Sequence, residues 1–173
     1  LDAPGEFILA VNISPSQIRD QWFPEKVLRT LRETGFPAQR LEIEVTESAM
    51  IGDVARAKLS LMSLKNQGVR VALDDFGTGY SSLSYLHQFP IHALKIDRSF
   101  VSDLRPGLPR GNTAIVRAIL ALARSLNIEV VAEGIETTAQ RDALLELGCR
   151  FGQGFLFAHP RPAADIRALK LVG

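Results

Sequence analysis

The 173-residue chain has a single cysteine, Cys149, so no disulfide can form within it, which fits a reducing, cytoplasmic compartment. Its longest apolar runs are a few residues, far below the roughly 20 that a bilayer span needs. No basic segment followed by an apolar one stands at its start, so a signal peptide is not expected. Charge of one sign is also missing: 20 Lys and Arg stand against 19 Asp and Glu, a net charge of +1. Bulk electrostatics therefore cannot be the basis of DNA or membrane binding. There is no repeat of fixed period and no low-complexity tract. One stretch, 105–112, resembles a linker and reads as a surface loop. What is present, 46% hydrophobic and 23% charged residues, is the balance of a globular protein, and the length suits one domain spanning 1–173.

Extended apolar runs alternate with helical patterns throughout. Strands are expected at 7–14, 41–46, 69–75, 93–97, 129–134 and 151–157. Ser14-Pro15-Ser16-Gln17 and Thr137-Thr138-Ala139-Gln140 have the form of capping boxes, Asp53 can cap a helix ending at Gly68, and Gly148 sits where a C-terminal cap belongs. Ile115, Ile119, Leu122 and Leu126 form an amphipathic stripe. Strand–helix alternation without hairpin dipeptides implies an α/β fold of parallel strands joined by crossover helices.

Side chains alternate between the two faces of a strand. Leu9, Val11 and Ile13 oppose Asn12; Leu41, Ile43 and Val45 oppose Glu42, Glu44 and Thr46; Val71 and Leu73 oppose Arg70 and Asp74; Leu94 and Ile96 oppose Lys95. Val131 and Glu133 share a face, as do Phe151, Gln153 and Phe155. Each strand thus carries a polar residue near its C-terminal end, whereas a helix-covered parallel sheet normally reads apolar on both faces. A single strand-end carboxylate is most simply a helix cap or loop anchor; six coordinated placements at the end where α/β folds bind ligands are not. Asn12, Glu44, Asp74 and Glu133 offer the oxygen donors that hard divalent cations prefer. Asp74 and Asp75 can converge on one site only if the strand stops and the backbone turns, and neighbouring carboxylates repel unless a cation neutralises them. With Glu44 and Glu133 they carry a formal charge of about −4, which two divalent ions would cancel. The bland alternative, in which one aspartate caps a helix and the other is solvated, stays open on spacing alone.

Asp74-Asp75-Phe76-Gly77-Thr78-Gly79-Tyr80-Ser81-Ser82 resembles the D-D-F-G-T-G-Y-S-S signature of the EAL-domain family, bacterial phosphodiesterases acting on cyclic di-GMP. Val11-Asn12-Ile13-Ser14, Glu44-Val45-Thr46-Glu47, Leu94-Lys95-Ile96-Asp97, Val131-Ala132-Glu133-Gly134-Ile135-Glu136 and Gln153-Gly154-Phe155-Leu156-Phe157 are similar to five further family motifs in the same order. The resemblance implies a modified TIM-type barrel and hydrolysis of cyclic di-GMP to linear pGpG with two divalent cations, Mg²⁺ or Mn²⁺. It implies Asn12, Glu44, Asp74 and Asp75 as metal ligands, and Glu133 as a ligand or partner of the attacking water. Lys95 would orient that water or stabilise developing charge, Glu47 would hold the loop 75–82, and Gln153 and Glu136 would contact water or substrate. It further implies a homodimer and neighbouring sensory or GGDEF-type cyclase domains, with no DNA or membrane contact by this domain.

The Glu-Ala-Leu that names the family does not occur; Asp142-Ala143-Leu144 is a near miss inside a helix. Six strands, where a closed barrel needs eight, lead to the expectation that the chain is about three-quarters of the barrel, lacking its N-terminal part. The alternative function is a non-catalytic cyclic di-GMP receptor or a dimerisation module. Surface or packing roles are expected for His87, His92 and His159, a helix staple for Trp22 and Phe23, and a small buried apolar role for Cys149.

Overall fold

In the computed structural model, residues 7–50, 53–77, 86, 88–107 and 111–166 are described. Six parallel strands form one sheet in the order β1-β2-β3-β4-β5-β6: β1 Leu9–Ile13, β2 Leu41–Thr46, β3 Arg70–Phe76, β4 Ala93–Ile96, β5 Glu129–Ala132 and β6 Phe151–Gly152. Consecutive strands are neighbours, as right-handed crossover connections through helices produce. Among the described residues the helices are α1 Pro15–Arg19, α2 Phe23–Thr34, α3 Glu47–Met50, α4 Val54–Asn66, α5 Arg98–Val101, α6 Gly111–Leu126, α7 Thr138–Leu147 and α8 Ala163–Ile166. The expected α/β class of parallel strands is what the structure has.

Local chemistry sets the helix ends. Ser14 and Thr137 each complete a reciprocal capping box with the glutamine three residues on, Gln17 and Gln140. Asp53 accepts from the Arg56 amide; each such cap is worth about 1 kcal/mol. Gly148 ends α7 in the left-handed region at φ 86°, where a Cβ would be strained. The α4 helix stops at Asn66, with Gln67 rather than Gly68 as its cap.

One face of the sheet is apolar and covered by helices: Ile43, Val45, Val71, Leu73, Leu94, Ile96, Val130 and Ala132 are all buried. The opposite face carries the polar residues. Asn12 pairs in register with Glu44, Glu44 with Ala72, and Ala72 with Ala93. The two alanines project only methyl groups, which leaves the space between Glu44 and Lys95 for their long side chains.

Several expectations are corrected. β3 does not stop at Asp75 but continues to Phe76 through a register shift after Leu73, because a bulge inserts a residue without ending the ladder. β6 is two residues long, not seven: after Gly152 the chain folds against Ile135, whose backbone donates to Gln153 O and accepts from the Leu156 amide. The buried stripe of α6 is Val116, Ile119, Leu120 and Ala123, whereas Ile115 is exposed. The loop within 105–112 is shorter than expected, since Gly111 already opens α6; residues 108–110 lie outside the described residues. Phe23 is buried at the start of α2, but Trp22 beside it is exposed and staples nothing. Cys149 is buried, its thiol donating to Phe151 O at 3.3 Å.

Candidate active site

Because all six strands run the same way, their C-terminal ends share one rim, and Asn12, Glu44, Asp74 and Lys95 come to it from four adjacent strands. Lys95 lies at its centre. Its Nζ is 2.8 Å from Glu44 Oε1, 2.5 Å from Glu133 Oε1 and 3.5 Å from Asp74 Oδ1. Glu44, Asp74 and Lys95 are buried, and charges removed from water persist only when paired. Burial opposes the charge on Lys95, but its hydrogen bonds to Glu133 and Glu44 outweigh that and raise its pKa, so the ammonium stays protonated. Burial also raises the pKa of Glu133, and the Asp74 and Glu44 charges add to this while Lys95 opposes it.

The bulge in β3 brings the adjacent aspartates together. Asp75 adopts φ 54°, a left-handed conformation uncommon for a residue with a side chain, and its amide donates to Asp74 Oδ1 at 3.0 Å. Burial raises the pKa of Asp75, followed by the neighbouring charges of Asp74 and Asp97. Asp74, Asp75 and Glu133 each offer a carboxylate oxygen, all within 4.8 Å of one another.

The Asn12 amide lies against this group. With its nitrogen inward it donates to Asp74 Oδ2 at 3.2 Å and Glu44 Oε2 at 3.3 Å. Turned over, its carbonyl oxygen would join the carboxylates, an arrangement that needs a cation between them. The donors are thus all hard oxygens, closely spaced and short of positive charge, and they fit Mg²⁺ or Mn²⁺ rather than a soft metal.

Past β5, the segment 133–137 carries Glu133 and Glu136. Gln153 donates to Glu133 Oε1 at 2.6 Å, and Glu136 is paired with Arg98 at 2.7 Å. Gly134 sits at φ 65°, where a Cβ would stand 2.4 Å from Arg98 Cγ, so only glycine lets Arg98 pass. Arg98, Glu133, Glu136, Gln153, Phe155 and His159 line a cleft of about 440 Å³ opening beside the carboxylates. Glu47 is half-buried at the start of α3; residues 78–82 of the loop it was expected to hold lie outside the described residues.

Two contributors escaped the sequence reading. Gln140 is buried, and its side chain does more than close a capping box: Oε1 accepts from the Glu136 and Thr137 amides at 2.8 and 2.9 Å, while Nε2 donates to Ser102 O at 3.0 Å. It ties the segment bearing Glu133 to the end of α5. Arg98, next to Asp97 in the L-K-I-D segment, pairs with Glu136, a partner 38 positions on that no spacing in the sequence marks. Of the histidines, His92 accepts from the Val71 amide at 3.2 Å and His159 stacks on Phe155, with ring centroids 4.4 Å apart; His87 lies outside the described residues.

The fold has close counterparts. The chain is 42% identical over 164 residues to the bifunctional diguanylate cyclase/cyclic di-GMP phosphodiesterase MucR of Pseudomonas aeruginosa, covering 95% of this chain and 24% of that protein. It is 44% identical over 161 residues to the signaling protein YkoW of Bacillus subtilis, covering 93% of this chain and 20% of that protein. The chain spans about a fifth to a quarter of the length of the curated relatives it matches. Among solved structures, the MucR phosphodiesterase in complex with c-di-GMP superposes with a TM-score of 0.86 at 42% identity, over 92% of this chain and 70% of that one. The manganese/c-di-GMP complex of Klebsiella pneumoniae BlrP1 superposes at 0.82 and 34% identity, over 90% of this chain and 40% of that one. These neighbours give the six-stranded sheet its context as part of a TIM-barrel-like fold. Residues 1–160 match the EAL domain, and the chain belongs to the EAL domain family.

Proposed function

We propose that this chain carries the site of a phosphodiesterase that hydrolyses cyclic di-GMP to linear pGpG. The observation that supports this best is the convergence of Asn12, Glu44, Asp74, Asp75 and Glu133 around Lys95 at the C-terminal rim. Those five residues would hold two divalent cations, Mg²⁺ or Mn²⁺. Such cations polarise a phosphodiester and make water acidic enough to ionise near neutral pH.

The chain's own residues supply the rest. Lys95, held protonated, cannot act as a base; it orients the attacking water and offsets charge developing on the phosphoryl oxygens. Glu133, engaged at Oε1 by Lys95 and Gln153, would serve as a further ligand or accept a hydrogen bond from the attacking water. The water oxygen forms the new bond to phosphorus as it gives up a proton to solvent, the P–O3′ bond breaks, and O3′ takes a proton from solvent to leave as an alcohol. Gln153 fixes Glu133, and Arg98 fixes Glu136 at the cleft where substrate enters. The same reading implies a cytoplasmic homodimer working beside sensory or GGDEF-type cyclase domains.

Chromatographic assay of pGpG in Mg²⁺ or Mn²⁺ is the test. Asp74→Ala, Glu44→Ala and Lys95→Ala should each lower turnover by about a thousandfold or more; retention of most activity by any two sinks the mechanism. The 173 residues contain no Glu-Ala-Leu segment, which favours a second reading for the chain taken alone, a receptor for the dinucleotide. Calorimetry showing cyclic di-GMP binding with no pGpG formed would select it.

A further inference from the structure

Lys95 presents three N–H donors, and three carboxylates from different parts of the sheet receive them at 2.5 to 3.5 Å. All four side chains are at least 84% buried, the most exposed being Glu133 at 16%. Without a positive charge among them, Glu44, Asp74 and Glu133 would repel one another across β2, β3 and the end of β5. We propose that Lys95 is a built-in counter-ion that competes with divalent cations for Glu44, Asp74 and Glu133, and thereby sets how tightly the rim binds them. This rests on the reading above that these carboxylates hold divalent cations.

The competition follows from charge and space. A divalent ion among these oxygens does the neutralising work of the ammonium with twice the charge in a smaller radius. An ammonium and a dication a few ångströms apart repel one another. Cation binding must therefore weaken at least one of the three Lys95 ion pairs, and whatever those pairs contribute to the fold is subtracted from cation affinity by linkage. Asp75 adds a further carboxylate oxygen, within 4.8 Å of those of Asp74 and Glu133, to the set a cation would draw on.

The experiment is calorimetric titration of MnCl₂, without nucleotide, into the wild-type chain, Lys95→Met and Lys95→Arg, together with melting temperatures at each Mn²⁺ concentration. Lys95→Met should bind Mn²⁺ about tenfold or more tighter, and Lys95→Arg, which keeps the charge, should stay near wild type. Without Mn²⁺, Lys95→Met should melt about 10 °C lower, and saturating Mn²⁺ should close that gap. If Lys95→Met does not fold alone, refolding from urea into Mn²⁺ should restore native circular dichroism. Wild-type binding with equal or weaker affinity in Lys95→Met overturns the proposal, as does failure to refold in saturating Mn²⁺. No Mn²⁺ binding by either protein overturns the cation reading of the site, and this inference with it.

Discussion

The polar face of the sheet holds two ion clusters, one at each end of the strands, and they are built on different terms. At the N-terminal end Arg70 pairs with Glu42 at 3.2 Å and Glu129 at 2.6 Å, one cation against two carboxylates. At the C-terminal end, among the described residues, Lys95 pairs with Glu44, Asp74 and Glu133, one cation against three carboxylates, and Asp75 adjoins them. The lower cluster comes within one charge of closing on itself, and Glu129 in it is half open to water. The upper cluster is more deeply buried, and among the described residues the three carboxylates on Lys95 outnumber its single charge by two. A fold that needed only to tie its strands together would use the first arrangement twice. The surplus of buried negative charge at one end is what the proposed cation site rests on, and in (βα) barrels that is the end where catalysis sits.

Loosening the upper rim should have the larger effect, and should touch both stability and turnover. Gln140→Leu removes the acceptor of the Glu136 and Thr137 amides and the donor to Ser102 O. Three backbone groups are left without that partner, at a cost of about 3 kcal/mol, or roughly 8 °C in melting temperature. The segment bearing Glu133 and Glu136 shifts with them, so kcat for cyclic di-GMP should fall about tenfold or more. Gln140→Glu keeps the acceptor and should lie between wild type and Gln140→Leu in both measurements. A stability loss with kcat intact would mean that the segment does not need this anchor to place Glu133.

Breaking the lower cluster should cost less and stay local. Arg70 is about a quarter exposed and Glu129 half exposed, so solvent screens much of the interaction. Arg70→Met should destabilise by about 1–2 kcal/mol in urea unfolding, mainly through Glu42, which loses a partner while largely buried. Mn²⁺ affinity should change by less than about twofold, because the Debye length and the intervening strand residues separate the two ends. If Arg70→Met moved Mn²⁺ affinity as far as Lys95→Met does, the two clusters would be one electrostatic unit and the contrast between them would fail.

Alternation along strands made much of this legible. Sorting each run by face placed Asn12, Glu44, Asp74 and Lys95 together before any fold was assumed, and the structure brings those side chains together. The adjacent Asp74 and Asp75 required a break in regular strand geometry, and the bulge at φ 54° supplies it, although the strand then resumes through Phe76. Contacts across long separations carried no such signal. Arg70 finds partners 28 and 59 positions away, and Gln140 reaches Ser102, 38 positions back. Helical spacing gave a stripe on α6 but not its phase. Ala123 and Val116 face the core where larger Ile115 does not, because a helix packed against a sheet buries the side that brings its backbone closest. The short β6 was hidden too, since its end depends on Gly154 meeting the Ile135 backbone, where a Cβ would stand 2.2 Å from the carbonyl oxygen.

The smallest expected effect is a pH dependence that belongs to the lower end alone. His92 Nδ1 accepts from the Val71 amide at 3.2 Å, a bond that only the neutral ring can receive at that nitrogen. Burial lowers its pKa, and the positive charges of Lys65 and Arg70 lower it further, while Glu129 opposes them. In the unfolded chain the ring titrates near its ordinary value of about 6.5. As pH falls through that value the unfolded state takes up the proton first, so the stability that His92 contributes is full above about 6.5 and declines toward the lower folded pKa. Urea unfolding at pH 7.5 and 5.5 should show this decline, and His92→Gln, which keeps an acceptor but cannot titrate, should reduce it. Arg70→Met should also flatten it, by removing one of the charges that hold the folded pKa down. A decline that neither substitution changes would assign the pH dependence to other groups, and would leave the ion pairs of the lower cluster as its whole contribution.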